Sequence, residues 1–552
     1  MRPRPALLLG ALLAPVLPLL ADTPAQAAGT HIICVNRPAD PDCPGPQPTT
    51  LPLALQSAYA DGQDSVIRLG PGVYDDGPYV FDDRDLSLTI QGSNNGAGDN
   101  ATLLKGGAAA PYATGNGITI RNLRVEVSGS GAEGLALSGG SIAQNIIVAD
   151  DPAAIATNAT GIRVDGSRVE NSTVSLYRGA GGTGVRQEAG PAVVSRLTVR
   201  TADVGVSAEG GALAIDNAVL KLDATAQAGL RAGAGAVVDA RHLTVVGGAA
   251  GARGVVASTN GAAAALTLAN SIVRDSVVAA DGAAASVVVH HTDLKPPVEE
   301  AGGTVTEGDG NLADVDPAFI DPLYAAPGGG NLALRAGSPL VDKGDPLTST
   351  TDDRNGDGRA FDGDGNGSPV PDLGAYELRD ITAPVTTFVA RPPAATNDNT
   401  PVFQFRSEAG ARFECRLDGG AFQPCASPTT TSALPDGPHS VTVRATDEVY
   451  NVEANPPTAS FTVDTVRPDT LLTKRPHKRF FRPKVKFKFT SHEAGVAFQC
   501  KVDKQSWRPC RSPFRFTVKV GKHRLLVRAV DAAGNVDSSP ARYKFKRLKR
   551  HR

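Results

Sequence analysis

The sequence predicts an all-β chain, a solenoid of stacked parallel strands followed by two small β-sandwiches. Three observations carry this expectation. Between Gly117 and Leu294 a two-strand unit returns about every 24 residues with no helical period between its strands. Residues 413–425 (FECRLDGGAFQPC) and 498–510 (FQCKVDKQSWRPC) are copies of one another, 85 positions apart. Aromatic residues make up only 5% of the 552, with one Trp and one Met, against 60 Gly and 41 Pro. That composition argues against a large α/β enzyme with aromatic-lined pockets. A hydrophobic fraction of 41% with 20% charged residues still supports a packed core and excludes wholesale disorder.

Residues 1–28 read as a secretory signal peptide. Arg2 and Arg4 supply the charged start, residues 6–20 are apolar, and Ala25-Gln26-Ala27 has the small-x-small cleavage pattern. The apolar run is shorter than the ~20 residues of a bilayer span, and no later run is long enough. The mature chain is therefore expected outside the cell or at its surface, without a transmembrane segment. The six cysteines fall into three close pairs, Cys34/Cys43, Cys415/Cys425 and Cys500/Cys510. None has C-x-x-C spacing, so an exported chain is expected to use them as disulfides rather than as zinc ligands.

Each repeat opens with Gly and an alternating strand, as at Gly134, Gly161, Gly184, Gly205, Gly229 and Gly254. A polar residue then stands three positions before an apolar one, at Asn122, Asn145, Asn171, Arg196, Asn217, His242, Asn270 and His291. Parallel strands stacked coil on coil advance ~4.8 Å per step, so about ten coils make a rod of roughly 50 Å. Asn tolerates the left-handed backbone region, and its amide both donates and accepts. The Asn row is therefore expected to be a corner ladder, not a catalytic set.

On these features the segment from about residue 51 to 378 resembles the right-handed parallel β-helix (pectin-lyase-like) proteins of bacterial surfaces. Its opening, LPLALQSAYADGQDSVIRLGPGVYDDGPYVF, resembles their first coil. It starts with a short amphipathic helix over residues 51–60, capped by Thr50 with Pro52 in the first turn. The helix is expected to cover the open end of the solenoid. The segments NLADVDPAFIDP, LRAGSPLVDKGDP and PDLGAYEL resemble the family's C-terminal coils. The resemblance implies a right-handed parallel β-helix domain over residues 29–379, with an Asp/Gly-rich end.

Two Ig-like domains follow, residues 380–464 and 465–543, with a basic tail at 544–552. Asp418-Gly419 marks a hairpin that Cys415 and Cys425 would staple. The modules resemble bacterial Ig-like repeats that space or display an exported domain. From Arg467 onward the chain carries 25 Lys and Arg against 5 Asp and Glu, whereas the whole has a net charge of −2. Lys484, Lys486 and Lys488 alternate along one predicted strand and so share a face, a stripe suited to polyanions. Nucleic acid is not expected, because the compartment argues against it and only Trp507, Phe480 and Phe481 offer stacking surfaces.

Two further sites are candidates. Asp353, Asn355, Asp357, Gly358 and Asp364 fit the D-x-N-x-D-G-x5-D spacing of a calcium loop, with Asp362 and Asn366 as additional ligands. A bound Ca2+ there would be structural; no other cofactor is expected. On the solenoid, Arg163/Asp165, Arg186/Glu188 and Ser207/Glu209 should form an outward charged ladder. Lyases of the resembled fold use an Arg or Lys base with calcium, and its polygalacturonases use clustered Asp with His. Neither motif set is present, so Arg163, Arg186, Asp165 and Glu188 are the catalytic candidates by default, and mutual pairing is their simpler role. Such exposed pairs contribute under ~1 kcal/mol each. The expectation is a monomeric, non-catalytic protein that binds polysaccharide or an anionic cell-wall polymer. The alternatives are a carbohydrate-active enzyme, foremost a polysaccharide lyase, or a plain spacer.

Overall fold

The computed structural model describes residues 31–37, 43, 48–60, 62–75, 77, 79–82, 87–93, 101–106, 111–115, 117–176, 179–201, 203–248, 251–259, 261–295, 298–322 and 330–549. The signal-peptide features and the last three tail residues lie outside them. The N-terminal part is a parallel solenoid whose coils contribute to three sheets of 12, 10 and 11 strands. One full coil runs Thr183–Gln187, Ala192–Ser195 and Thr198–Thr201; the next runs Val204–Ala208, Gly211–Asp216 and Val219–Leu222.

Register explains the core. Val185, Val206, Leu230 and Val255 stack in line on successive strands of the ten-stranded sheet. Val199, Leu220, Val245, Val273 and Leu294 do the same in the eleven-stranded sheet. Such rows merge into one continuous apolar cluster from Ile33 to Val305. The helix Leu51–Ala60 buries Leu51, Ala54, Leu55 and Ala58, one face at helical spacing, and Thr50 Oγ1 accepts the Leu53 amide at its start. A strand preceding that helix, His31–Val35, extends the twelve-stranded sheet by pairing with Ser65–Leu69.

The repeat glycines exist because the coils approach too closely for a side chain. A Cβ on Gly205 would lie 2.5 Å from the Gly229 carbonyl oxygen, and one on Gly229 would lie 2.5 Å from that of Gly254. The Asn members of the polar row hold the left-handed backbone expected of them, and Arg196, His242 and His291 share it: Asn122, Asn145, Asn171, Arg196, Asn217, His242, Asn270 and His291 all have φ between 44° and 58°. The amide ladder is shorter than expected. Asn145 donates to Asn122 at 2.8 Å and Asn171 to Asn145 at 3.0 Å, and the row then meets Arg196.

From there a different device takes over, and it corrects the expectation of C-terminal coils. The last short solenoid strands are Glu299–Ala301, Thr304–Glu307 and Leu312–Ala313. The described residues of 315–378 add no further rung. They run back along the outside of the solenoid and bury Phe319, Leu332, Leu334, Leu340, Leu373 and Leu378 against the outward faces of Val219, Val246 and Ile272. The corner row is the rail on which this belt is fixed. Arg354 donates to Asn171 Oδ1 at 3.0 Å and Arg359 to Asn217 Oδ1 at 2.8 Å. His242 Nδ1–H points to the Gly374 carbonyl at 3.3 Å, and Asn270 Oδ1 accepts the Asp345 amide at 2.7 Å.

Two small Ig-like sandwiches follow, each with a three-stranded and a five-stranded sheet. Cys415–Cys425 and Cys500–Cys510 each staple a hairpin, and Cys34–Cys43 closes a loop at the N-terminal end. The cores are aromatic: Phe403, Phe405 and Phe461 in the first, Phe487, Phe489, Tyr543 and Phe545 in the second.

The coil contacts make Gly205→Ala a sharp test. The added methyl meets backbone, which cannot move aside within a rigid stack, so overpacking is expected to cost ~1–3 kcal/mol. Gly235→Ala, where open space surrounds the would-be Cβ but φ is 84°, separates backbone strain from coil clash. Urea midpoints of the solenoid transition measure both.

Candidate polyanion-binding surface

On the solenoid, Arg163, Arg186, Ser207 and Arg231 stand in register on successive strands. Arg163 lies 3.0 Å from Glu133 and 3.4 Å from Glu188. Arg231 lies 2.9 Å from Glu209 and donates to Ser207 Oγ at 3.0 Å. Burial raises the Glu209 carboxyl, but the Ser207 hydroxyl and Arg231 outweigh it and hold it below its usual range. Asp165 accepts the Gly190 amide at 2.5 Å. The ladder is thus a network of pairs running from coil to coil. Of the four candidates Arg186 is the exposed one, and its charge also helps to lower the Glu209 carboxyl.

The residues of the acidic loop fall in two places. Asp353 is buried, and its carboxylate accepts the amides of Asn355 at 2.8 Å, Asp357 at 3.0 Å and Glu377 at 3.2 Å. Asn355 and Asp357 are exposed. Asp362 and Asp364 turn instead toward Asp342, with one carboxylate oxygen of each within 4.8 Å of the others. Asp364 accepts from the Asn366 amide. The rest of the motif belongs to a buried knot around Arg359. Its guanidinium meets Glu377 at 3.3 Å and donates to the carbonyls of Asp352, Gly374 and Ala375 as well as to Asn217. Asp372 beneath it accepts the Asp342 and Leu378 amides. Burial and the neighbouring Glu377 push the Asp372 carboxyl up to about 8.

The second sandwich holds the charge. In Lys484–Ser491 the residues Val485, Phe487 and Phe489 face the core while Lys484, Lys486 and Lys488 alternate outward, as the sequence predicted. Register adds two cations that linear reading missed: Lys474 stands opposite Lys488, and Arg515 opposite Lys486. Arg515, then Lys488 and Lys474, crowd the Lys486 ammonium and pull its pKa below the ordinary lysine value. At the corresponding positions the first sandwich has Ala390, Val402, Gln404 and Thr430.

The five-stranded sheet repeats the contrast. An open groove there is lined by Lys478, Lys522, Arg524, Arg542, Lys544 and Lys546, with Phe545 and His523 in it. Lys522 stands directly opposite Lys546, and Arg524 opposite Lys544. The first sandwich has the same groove, but the paired positions are Pro438 with Thr462 and Ser440 with Ser460. The uncharged scaffold is otherwise retained. His439 meets Asp418 at 2.7 Å and the Pro435 carbonyl at 2.9 Å; His523 meets Asp503 at 2.8 Å and the Lys519 carbonyl at 2.8 Å. Burial lowers the His523 pKa, but the hydrogen bond to Asp503 more than offsets this, so it stands above its ordinary value. Like charges placed opposite one another on neighbouring strands destabilise a sheet, and the first module proves that the fold does not need them. Aligning the two copies at their 84-residue offset is the signal that would have exposed this groove. Trp507 is not free for base stacking, since the Arg528 guanidinium lies 4.4 Å from its ring centre.

No protein-family model and no curated protein matches the chain. Solved structures give only distant likenesses. The fibronectin(III)-like modules of Clostridium thermocellum CbhA are 15% identical with a TM-score of 0.25, covering 30% of this chain and 98% of that one. Dimeric latent PorU from Porphyromonas gingivalis is 12% identical with a TM-score of 0.13, covering 32% and 22%. Tailspike protein 3 of bacteriophage CBA120 is 12% identical with a TM-score of 0.21, covering 48% and 58%. The chain thus spans less than two thirds of the PorU and tailspike chains. At these scores none of the likenesses bears on function. Among the described residues no helix is long and apolar enough to cross a membrane.

The knot generates two expectations. Arg359→Met leaves Glu377 as an uncompensated buried charge and removes the guanidinium bonds to Asn217 and to the Asp352, Gly374 and Ala375 carbonyls, so the solenoid transition should lose ~3–5 kcal/mol. Asp372 has a folded pKa above its unfolded one, so its contribution is complete below about pH 4 and gone once pH has risen through about 8. Asp372→Asn should therefore gain on the wild type as pH rises across that window, measured by calorimetry at matched ionic strength.

Proposed function

We propose that this is an exported, non-catalytic surface or extracellular protein. In this reading it binds an anionic polysaccharide or cell-wall polymer through its second Ig-like module, with the solenoid as the displayed body. The single observation that carries the reading is the internal comparison. Two modules share one backbone, one disulfide and one His–Asp pair, yet residues 380–464 hold 5 Lys and Arg against 10 Asp and Glu, while residues 465–549 hold 23 against 5. A charge load that the fold does not require, set in cross-strand pairs that repel, gains its compensation from an anionic partner. Three disulfides support a location outside the reducing cytoplasm.

In vitro, retention of the full chain on polygalacturonate resin is expected to fall steeply between low salt and ~0.3 M NaCl, because screening at that ionic strength shortens the reach of each charge. Removal of residues 465–552 should abolish it. Equal retention by a chain lacking that module would overturn the proposal. A second reading, polysaccharide lyase, is favoured by the exposed Arg186 in register beside Arg163. It predicts new absorbance from unsaturated uronate products that disappears in Arg186→Ala, and a flat trace from the wild type removes it.

A further inference from the structure

The two cationic surfaces of the second sandwich do not share a side. Val485, Phe487 and Phe489 of the three-stranded sheet and Leu525, Val527, Tyr543 and Phe545 of the five-stranded sheet meet in one core. The residues alternating with them, Lys484, Lys486 and Lys488 on one sheet and Arg542, Lys544 and Lys546 on the other, therefore point in opposite directions. Packed sheets lie ~10 Å apart, and the side chains extend the distance between the charge layers further. The Debye length at physiological ionic strength is ~8 Å, so an anion on one face scarcely alters the field at the other. A single polymer segment lying on the stripe cannot reach the groove without turning round the sandwich edge.

We propose that the second module is bivalent and joins two separate anionic strands or surfaces, one at the stripe and one at the groove. This goes beyond simple attachment and rests on the polyanion-binding reading above. The stripe is an open ledge of five cations that suits any regularly charged chain. The groove is open and also holds Asp503, paired with His523; the facing pairs Lys522/Lys546 and Arg524/Lys544 lie on either side of one line, so each pair can straddle successive acidic groups of a chain laid along it. The shared ligand chemistry is a repeating oxyanion, carboxylate in a polyuronate or phosphate in a polyphosphate. The counterpart positions in the first module are uncharged on both sheets, so the scaffold requires neither cationic face.

The test uses the full chain with latex beads coated either with polygalacturonate or with polyphosphate, followed by light scattering and by assay of bead-bound protein. The expected result is clumping on at least one coating that rises and then falls as protein is increased, since excess protein occupies every strand singly. Two triple variants neutralise one face each, Lys484→Gln/Lys486→Gln/Lys488→Gln and Arg524→Gln/Lys544→Gln/Lys546→Gln. Each should weaken bead binding to what the remaining face alone supports, leaving protein measurably bound, and lose clumping by about tenfold or more. The coating that clumps identifies the oxyanion. A one-face variant that still clumps beads means self-association does the joining, and the inference falls. Wild-type protein that coats beads without clumping them also overturns bivalency while leaving the binding proposal intact; failure to bind either coating overturns both. Circular dichroism and thermal unfolding of the two variants confirm that the altered faces sit on a folded module.

Discussion

Everything in this chain depends on how closely its coils can stack. Successive strands must sit one hydrogen-bond spacing apart along the whole solenoid, and nothing larger than a hydrogen fits between certain backbones. Gly205 and Gly229 stand where a methyl group would press into the carbonyl of the next coil. The same spacing forces a sharp left-handed corner in every turn, at φ near 50°. Asn meets that demand at small cost, Arg and His at a larger one. Once corner and contact are set, the inward rows of Val, Leu and Ile follow by register alone.

The corner row also decides what can lie outside the solenoid. Where Asn side chains follow one another they satisfy each other; where Arg196 and His242 interrupt them, the belt of residues 345–375 supplies the missing partners. His242 is wholly buried, and desolvation, aided by the Arg359 charge, holds it well below its ordinary pKa. It stays neutral, donates through Nδ1 and accepts from the Asn270 amide at 3.2 Å through Nε2. Polar groups that would be expensive to bury alone become the means by which an irregular segment finds a unique position.

Much of this was legible in the sequence because its causes are local and periodic. The polar row could be placed to the residue, since the spacing to the following Val or Leu does not change, and the left-handed backbone followed for its Asn members; that Arg196, His242 and His291 turn the same corner is a finding of the structure. The helix Leu51–Ala60, the three disulfides and the outward face of Lys484, Lys486 and Lys488 rest on equally short-range patterns. The belt was not legible, because its partners are distant: Arg354 reaches Asn171 across 183 positions and Arg359 reaches Asn217 across 142. The D-x-N-x-D-G spacing marks a tight turn in which Asp353 gathers the amides of Asn355 and Asp357, but the amide it takes from Glu377 lies 24 positions away and is not contained in that spacing. The cationic groove needed cross-strand register, which a linear scan for charge runs does not contain.

The belt has a mechanical consequence. The chain leaves for the sandwiches immediately after Leu378, beside the Arg359 knot, rather than from the last rung. A pull on those modules is therefore delivered to a strap riveted across several turns, from Asn171 to Asn270. Load shared in shear over many rivets is borne far better than load that peels one edge at a time. A chain connected this way holds its terminal rung out of the line of force.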